Sequence, residues 1–402
     1  MKEKQMEALK CAAGHLADKL VQTRRELHQI PELAFCEVKT AAYICSKLEQ
    51  IGIPYQSGVA QTGVVALIES APGAKTLLLR ADMDALPMQE DRTRVYCSQH
   101  DGVMHACGHD GHVAVLLGVA ELLWERREEL SCNVKLVFQP AEEDTGGAGP
   151  MIEAGVLDAP KVDAALALHI MNEVECGKVR VRQGAVMASP DEFDLTIEGR
   201  GGHGAYPQEC VDPIVIASQV VTAFSVLASR FTSPFEPVVI SVCSINGGSF
   251  YNIIPEKVSM RGTVRLYDNA LRQEIPKRME QIVKQYTEAY GAGYEWDYRK
   301  MFPPLVNDDN MVTYFRVCAS EILGEENVLE GGQPSMAGDD FAYFAERVPS
   351  VYFHLGAGNR EKGTIMPLHS PDFDFDESCL VTGVLAVSWF ALCFGKDRNT
   401  SE

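Results

Sequence analysis

The chain is poor in positive charge: 36 Lys and Arg stand against 56 Asp and Glu among 402 residues, a formal net charge of −20. A surface of that sign repels phosphate backbones and anionic lipid, so nucleic acid and membrane surfaces are not expected partners and small-molecule chemistry is the better expectation. Read along the chain, no apolar run reaches the roughly 18 residues needed to span a bilayer. The first residues, MKEKQMEALK, lack the apolar centre of a signal peptide. A cytoplasmic location is therefore expected. The twelve cysteines have no regular spacing, which suits reduced thiols filling a core better than a disulfide framework. A P-loop pattern is missing, and GGAG at 146–149 lacks the spacing of a dinucleotide-binding turn, so nucleotide chemistry is not expected. Internal repeats and low-complexity tracts are not evident. At 46% hydrophobic and 23% charged residues the composition is that of a folded globular protein, and the length suggests two or more domains.

What is present is an alternation of apolar elements. TLLLRADMD (76–84), NVKLVFQPAEE (133–143) and DAALALHI (163–170) read as strands, and HVAVLLGVAELLWERREEL (112–130) reads as an amphipathic helix. That pattern predicts an α/β domain with a mainly parallel sheet. Each strand ends in polar residues: Asp82 and Asp84, then Glu142 and Glu143, then His169. Ligand sites in open α/β sheets lie at such carboxyl ends, so these side chains are expected to converge on one rim. From 188 to 299 the order changes to β-α-β-β-α-β, which predicts a separate ferredoxin-like α+β domain inserted into the first. SVYFHLGAG (350–358) and CLVTGVLAVSWFALCF (379–394) then complete the first domain. The expected boundaries are 1–187 with 300–402 for the first domain and 188–299 for the insert. The two connections, near 184–190 and 299–305, are expected to act as hinges.

The densest chemistry lies in GVMHACGHDGH, where Cys107 and His109 sit among His105 and His112. A thiolate and an imidazole this close suit zinc or another first-row divalent ion far better than magnesium or calcium. Taken singly, each further candidate has a plain alternative. Adjacent glutamates such as Glu142 and Glu143 are common on solvated faces. His169 after AALAL could be a buried histidine bonded to backbone, His369 could be an exposed loop residue, and Cys107 could be a small core hydrophobe. Joined, they offer thiolate, imidazole and carboxylate ligands with one carboxylate left for a water. Rival motifs fit less well. His105 and His109 have the spacing of a zincin helix, but Ala106 stands where that motif needs glutamate. A cysteine-nucleophile hydrolase built on Cys107 leaves Glu142, Glu143, His169 and His369 without roles.

RRELHQIPELAF, LLLRADMDALP, HACGHDGH, VFQPAEE, ALHI, GRGGHGAYP, NIIP, GTVR, DDFAYF and PLHSPDFDFDE follow one another from Arg24 to Glu377. In that order they resemble the aminoacylase and carboxypeptidase family of dinuclear metallohydrolases. The branch is similar to hippurate hydrolases, N-acyl-amino-acid amidohydrolases and plant indole-acetyl-amino-acid hydrolases.

The resemblance implies a zinc-peptidase-like catalytic domain and an inserted lid and dimerisation domain. It implies that Cys107, His109, Glu143, His169 and His369 hold two divalent ions (Zn, Mn, Co or Ni), with Cys107 able to bridge them. Glu142 would be the general acid/base and Asp84 would orient a ligand, with Asp82 a further support. In the insert, His203 resembles the family's transition-state histidine, and Asn252 and Arg265 the groups that hold a substrate carboxylate. The implied activity is hydrolysis of N-acyl-L-amino acids to a carboxylic acid and a free amino acid. A dipeptidase or carboxypeptidase with the same ions, or a catalytically silent binding relative, are the alternatives. The implied partners are a small-molecule substrate and a second copy of the chain, with a tetramer as the larger option. Two positions depart from the family's usual pattern: Gln208 stands where many relatives have histidine, and Asp339 where glutamate is common.

Overall fold

The computed structural model describes residues 2–71, 73–91 and 94–396. They fall into two compact units, one made of the described residues up to Gly184 with Val306–Gln333 and those from Tyr343 on, the other of Ala185–Leu305 with Pro334–Ala342.

The first unit is built on an eight-stranded sheet. Its order is Tyr55–Val59, Gly63–Ile68, Asn133–Gln139, Thr76–Asp82, Ala164–Glu175, Ser350–Gly358, Val179–Val181, Val328–Glu330. Pairing is parallel across its centre, from Asn133–Gln139 through Ser350–Gly358, while Tyr55–Val59 and Gly63–Ile68 run antiparallel at one edge. All seven residues of Thr76–Asp82 and all seven of Asn133–Gln139 are buried. Strands covered on both faces need continuous apolar runs, which is what LLL and LVF supply. Helices His109–Glu125 and Cys379–Cys393 are almost wholly buried, so the helix read from sequence as amphipathic is instead a core helix whose polar residues cluster at its ends. Three helices (Lys2–His15, Ala17–His28, Val38–Ile51) and the two antiparallel edge strands precede the first strand read from sequence.

Two element ends differ from the sequence reading, and both matter for the site. The helix expected from 112 begins at His109, because Gly108 takes φ +86° and turns the chain into it. The strand expected through 143 stops at Gln139, followed by Pro140, which has no N–H for a ladder. Glu142 and Glu143 therefore lie in a turn rather than on extended backbone.

The second unit is a four-stranded antiparallel sheet in the order Val238–Gly247, Lys257–Leu266, Ser189–Glu198, Gly293–Arg299. With helices Pro213–Arg230 and Asn269–Tyr290 between its strands, this is the ferredoxin-like arrangement. Phe193, Leu195 and Ile197 alternate inward from the third strand and pack with Ile216, Val220 and Phe224 of one helix and Ile275, Met279 and Val283 of the other. Pro334–Ala342 joins this unit because Ala188 N–H donates to the carbonyls of Ser335 and Ala337, and Ser335 N–H donates to that of Val186. Helix Pro213–Arg230 is long and apolar enough, over 18 residues, to cross a membrane by length and composition. That corrects the sequence reading that no such run exists. Its Ile216, Ala217, Val220, Phe224 and Leu227 are buried in the core of this unit, so its apolar character serves sheet packing.

Candidate metal centre

Five side chains from four separate stretches of the first unit come together at the carboxyl ends of its parallel strands. Cys107 and His109 flank Gly108 at the start of helix His109–Glu125, and His169 lies in strand Ala164–Glu175. Glu143 sits in the turn after Gln139, and His369 in a turn anchored by its own N–H to the Ala106 carbonyl at 2.8 Å. The ligand atoms of Cys107, His109 and His169 all lie within 4.8 Å of one another. The same is true of Cys107, Glu143 and His369, so the Cys107 thiol belongs to two groups at once. A third group joins His109 and Glu143 to Glu142.

Hydrogen bonds fix the rings for ligation. His109 Nδ1 donates to the carbonyl and side chain of Asp84 at 3.0 and 3.2 Å. That leaves Nε2 to face Glu143 Oε1 at 3.9 Å, buried and without a hydrogen-bond partner. His169 Nδ1 donates to the Ile170 carbonyl at 2.8 Å, so its Nε2 lone pair faces Cys107 Sγ at 3.4 Å. With Nδ1 committed as donor, each histidine leaves Nε2 turned toward the thiol or carboxylate, the atom a metal ligand has to offer. Glu143 N–H donates to the second oxygen of Asp84 at 3.0 Å, so one carboxylate orients two of the proposed ligands.

The electrostatics ask for a cation at this spot. Asp82, Asp84 and Glu142 are each at most 8% exposed, and Arg80 pairs with Asp82 at 2.5 Å. Burial opposes charge on His109, yet Asp82, Asp84 and Glu143 outweigh it and push the ring up to about 10. Burial pushes the Cys107 thiol well above its ordinary range, and Glu143 and Glu142 beside it push the same way. Burial drives His169 well below the usual imidazole value. A divalent ion held by these residues would meet all three demands, since it would supply positive charge, favour thiolate over thiol and take the place of a proton on Nε2. The donor set of sulfur, imidazole and carboxylate suits a first-row transition metal.

Several supporting residues carried no role in the sequence reading. Ile170 N–H donates to His112 Nε2 at 2.9 Å, which puts the ring proton on Nδ1, 2.5 Å from Asp82 Oδ1. His112 is thereby committed to joining the strands on either side, although its position three residues after His109 on one helix face was the available signal. Arg80 interrupts an apolar strand and holds Asp82 and, through Nε, Gln139 at 2.9 Å. Asp82 thus lies beside the site as a support. His105 is buried with neither ring nitrogen hydrogen-bonded, and burial holds it down at about 3.

In the second unit His203 and Asn252 come close together. Gly202–His203 pairs with Ile253–Ile254, Gly204 N–H donates to the Asn252 carbonyl at 2.8 Å, and both His203 and Asn252 are exposed. Arg265 stands on strand Lys257–Leu266 opposite Val239 and Pro190, and its Nη1 donates to Thr263 Oγ1. Gln208 lies exposed in the short turn Pro207–Glu209, and Asp339 is buried.

Comparison with known proteins agrees with the resemblance. The family model described as peptidase family M20/M25/M40 matches residues 78–391. A thermostable carboxypeptidase of Saccharolobus solfataricus is 38% identical over 97% of this chain and 98% of its own. An N-acyl-L-amino acid amidohydrolase of Geobacillus stearothermophilus is 42% identical over 75% of this chain and 82% of its own. The crystal structure of a dinuclear metal binding peptidase of the M20 family from Bacillus subtilis superposes with a TM-score of 0.81 at 32% identity, covering 94% of this chain and 98% of that one. The chain belongs to peptidase family M20/M25/M40, and it is a metal-dependent hydrolase acting on amide bonds.

Proposed function

We propose that the protein hydrolyses N-acyl-L-amino acids, hippurate-like or carrying acetyl or aryl-acyl groups, with two divalent ions held by Cys107, His109, Glu143, His169 and His369. The observation that carries this reading is the sharing of one thiol by two ligand groups, with Glu142 set beside them. Divalent ions bound there (Zn, Mn, Co or Ni) would polarise the amide carbonyl and acidify an attacking water. Glu142 takes the proton of that water on its carboxylate and returns it to the departing nitrogen, so one carboxyl serves both halves of the reaction. Asp84 keeps the His109 ring and the Glu143 backbone in place through the contacts described above. His203 donates to the carbonyl oxygen as it gains charge, a contribution worth about 3 to 4 kcal/mol for one well-placed donor. Asn252 and Arg265 bind the substrate's carboxylate, which a planar guanidinium can engage with two parallel hydrogen bonds. Such an anchor lets a protein of net charge −20 accept an anionic substrate.

The similarity to a protein named for N-acyl-L-amino acid hydrolysis supports the acyl-amino-acid reading. The similarity to a named carboxypeptidase keeps peptide substrates as a second reading. Two further properties complete the proposal. The chain forms a homodimer through its second unit, where Val238–Gly247 is an outer strand with Val239 and Ile245 exposed and helix Pro213–Arg230 exposes Ile214 and Val215. It works in the cytoplasm, in keeping with twelve cysteines that are all free.

Release of free amino acid from N-acetyl, N-benzoyl and N-indole-acetyl amino acids, compared with dipeptides, tests the reaction. Expected is turnover of one or more acyl amino acids that chelation abolishes and added metal restores, and that Glu142→Gln lowers about 10²- to 10⁴-fold. Turnover of peptides alone would favour the carboxypeptidase reading. Failure of every substrate with metal bound would overturn the substrate class.

A further inference from the structure

The turn that carries Glu142 is held in a conformation its own residues do not favour. Ala141 has φ +55°, in the left-handed region that a residue with a Cβ seldom enters. Such a geometry persists only where the surroundings over-determine it. The surroundings here can be named. Ala141 N–H donates to Glu37 Oε1 at 2.9 Å, and Glu37 Oε2 accepts from the Thr62 hydroxyl at 2.6 Å. Glu37 is fully buried at the start of helix Val38–Ile51, and Ala141 is fully buried too. Two residues on, Glu143 N–H is taken by Asp84. On the far side, a Cβ at Gly147 would lie 1.9 Å from the Pro140 carbonyl oxygen, so only glycine lets the chain pass there. Glu142 is thus bracketed by two buried carboxylates gripping the amides on either side of it. Glu37 offers no cap to its own helix, so its side chain is committed to Thr62 and Ala141.

We propose that Glu37, supported by Thr62, is a positioning residue for the general base: it holds Ala141 in the left-handed region and thereby aims the Glu142 carboxylate. This rests on the proposed role of Glu142 as the proton carrier. The Glu37 carboxylate bonds to Thr62 and Ala141 rather than to any of the five proposed ligands. Its loss lets Ala141 relax toward φ below zero and swings Glu142, while Asp84 keeps Glu143 in place. The lesion therefore falls on kcat and leaves KM and bound metal alone.

Glu37→Ala, Glu37→Gln, Thr62→Val and Glu142→Gln are compared in the full chain loaded with the same metal, and bound metal is counted in each. Expected for Glu37→Ala is a loss of about 10²-fold in kcat, the scale of a misplacement of about 1 Å, with KM and metal content within twofold of wild type. Glu37→Gln can accept from Ala141 and donate to Thr62, so it should return kcat to within about threefold. Thr62→Val, a milder lesion if Glu37→Ala fails to fold, should cost about 3- to 10-fold in kcat. Amide exchange at 141–143 in the metal-free protein should speed up in Glu37→Ala and stay slow in Glu37→Gln. Wild-type kcat in folded Glu37→Ala, a loss that tracks lost metal, or a Glu37→Gln as impaired as Glu37→Ala overturns the positioning role. Wild-type kcat in Glu142→Gln would instead overturn the role of the base, a separate result.

Discussion

Asp82 meets Arg80 with one oxygen and His112 with the other, and its nearer oxygen is 3.8 Å from His109 Nδ1. Burial works against its charge, but Arg80, His109 and His112 hold its carboxyl well below the usual range. The site therefore has a fixed negative floor beneath the ligands. Cys107 and His109 were legible because sulfur and nitrogen ligands stood one residue apart, and Glu142, Glu143, His169 and His369 followed from motif order. Glu37, Arg80 and His112 were not, because their meaning lies in partners far off in sequence: Ala141, Gln139 and Ile170. Lys135 is another such residue. Its ammonium is buried within NVKLVFQ and donates to the carbonyls of Val156 and Pro160 at 2.7 and 2.9 Å. Burial pushes it down to about 8, below the usual 10.4 of an unfolded chain. Between those values the unfolded chain binds the extra proton, so this group makes stability rise with pH across that window and contributes a constant penalty below it. Urea unfolding at pH 7.5 and 10 should show wild type gaining about 1 to 3 kcal/mol relative to Lys135→Met. A difference that stays flat would mean Lys135 titrates normally.

At the scale of elements, the site depends on how closely helix His109–Glu125 meets strand Ala164–Glu175. Gly111 makes the approach possible, since a Cβ there would lie 2.4 Å from Ile170 Cδ1 and 2.7 Å from Phe375 Cζ. Gly111→Ala has to displace the Ile170 and Phe375 side chains or push the helix start, with His109 and His112, away from His169. The expected outcome is a loss of about 1 to 3 kcal/mol from overpacking, together with weaker metal binding, read by thermal unfolding of the metal-free and metal-loaded protein. An unchanged midpoint in both would contradict this packing. The strands themselves were legible from continuous apolar runs, as Thr76–Asp82 illustrates. Their ends were less so: apolarity alone could not place the break at Pro140 or the helix start after Gly108, where backbone conformation decides.

On the scale of the whole molecule, the alternation of strand and helix pointed to a mainly parallel sheet, and β-α-β-β-α-β to a ferredoxin-like second unit, because each pattern has few ways to bury its apolar faces. The N-terminal stretch yielded no element from sequence. Helix Lys2–His15 exposes most of its residues and buries only Leu9 and Ala13, while Ala17–His28 buries Thr23, Arg24 and His28 beside Leu20 and Leu27, so polar and charged residues mask the apolar period of both. A chain of net charge −20 that gathers carboxylates, a thiol and imidazoles at one rim is organised around cations, and their number is the central claim. Equilibrium dialysis of metal-free protein against Zn or Mn, with bound metal counted per chain in wild type and Cys107→Ala, tests it most directly. The expected result is two ions per wild-type chain, with at least one lost when the shared thiol is removed. A wild-type chain that binds fewer than one ion, or a Cys107→Ala chain that keeps both at the same free metal concentration, would contradict it.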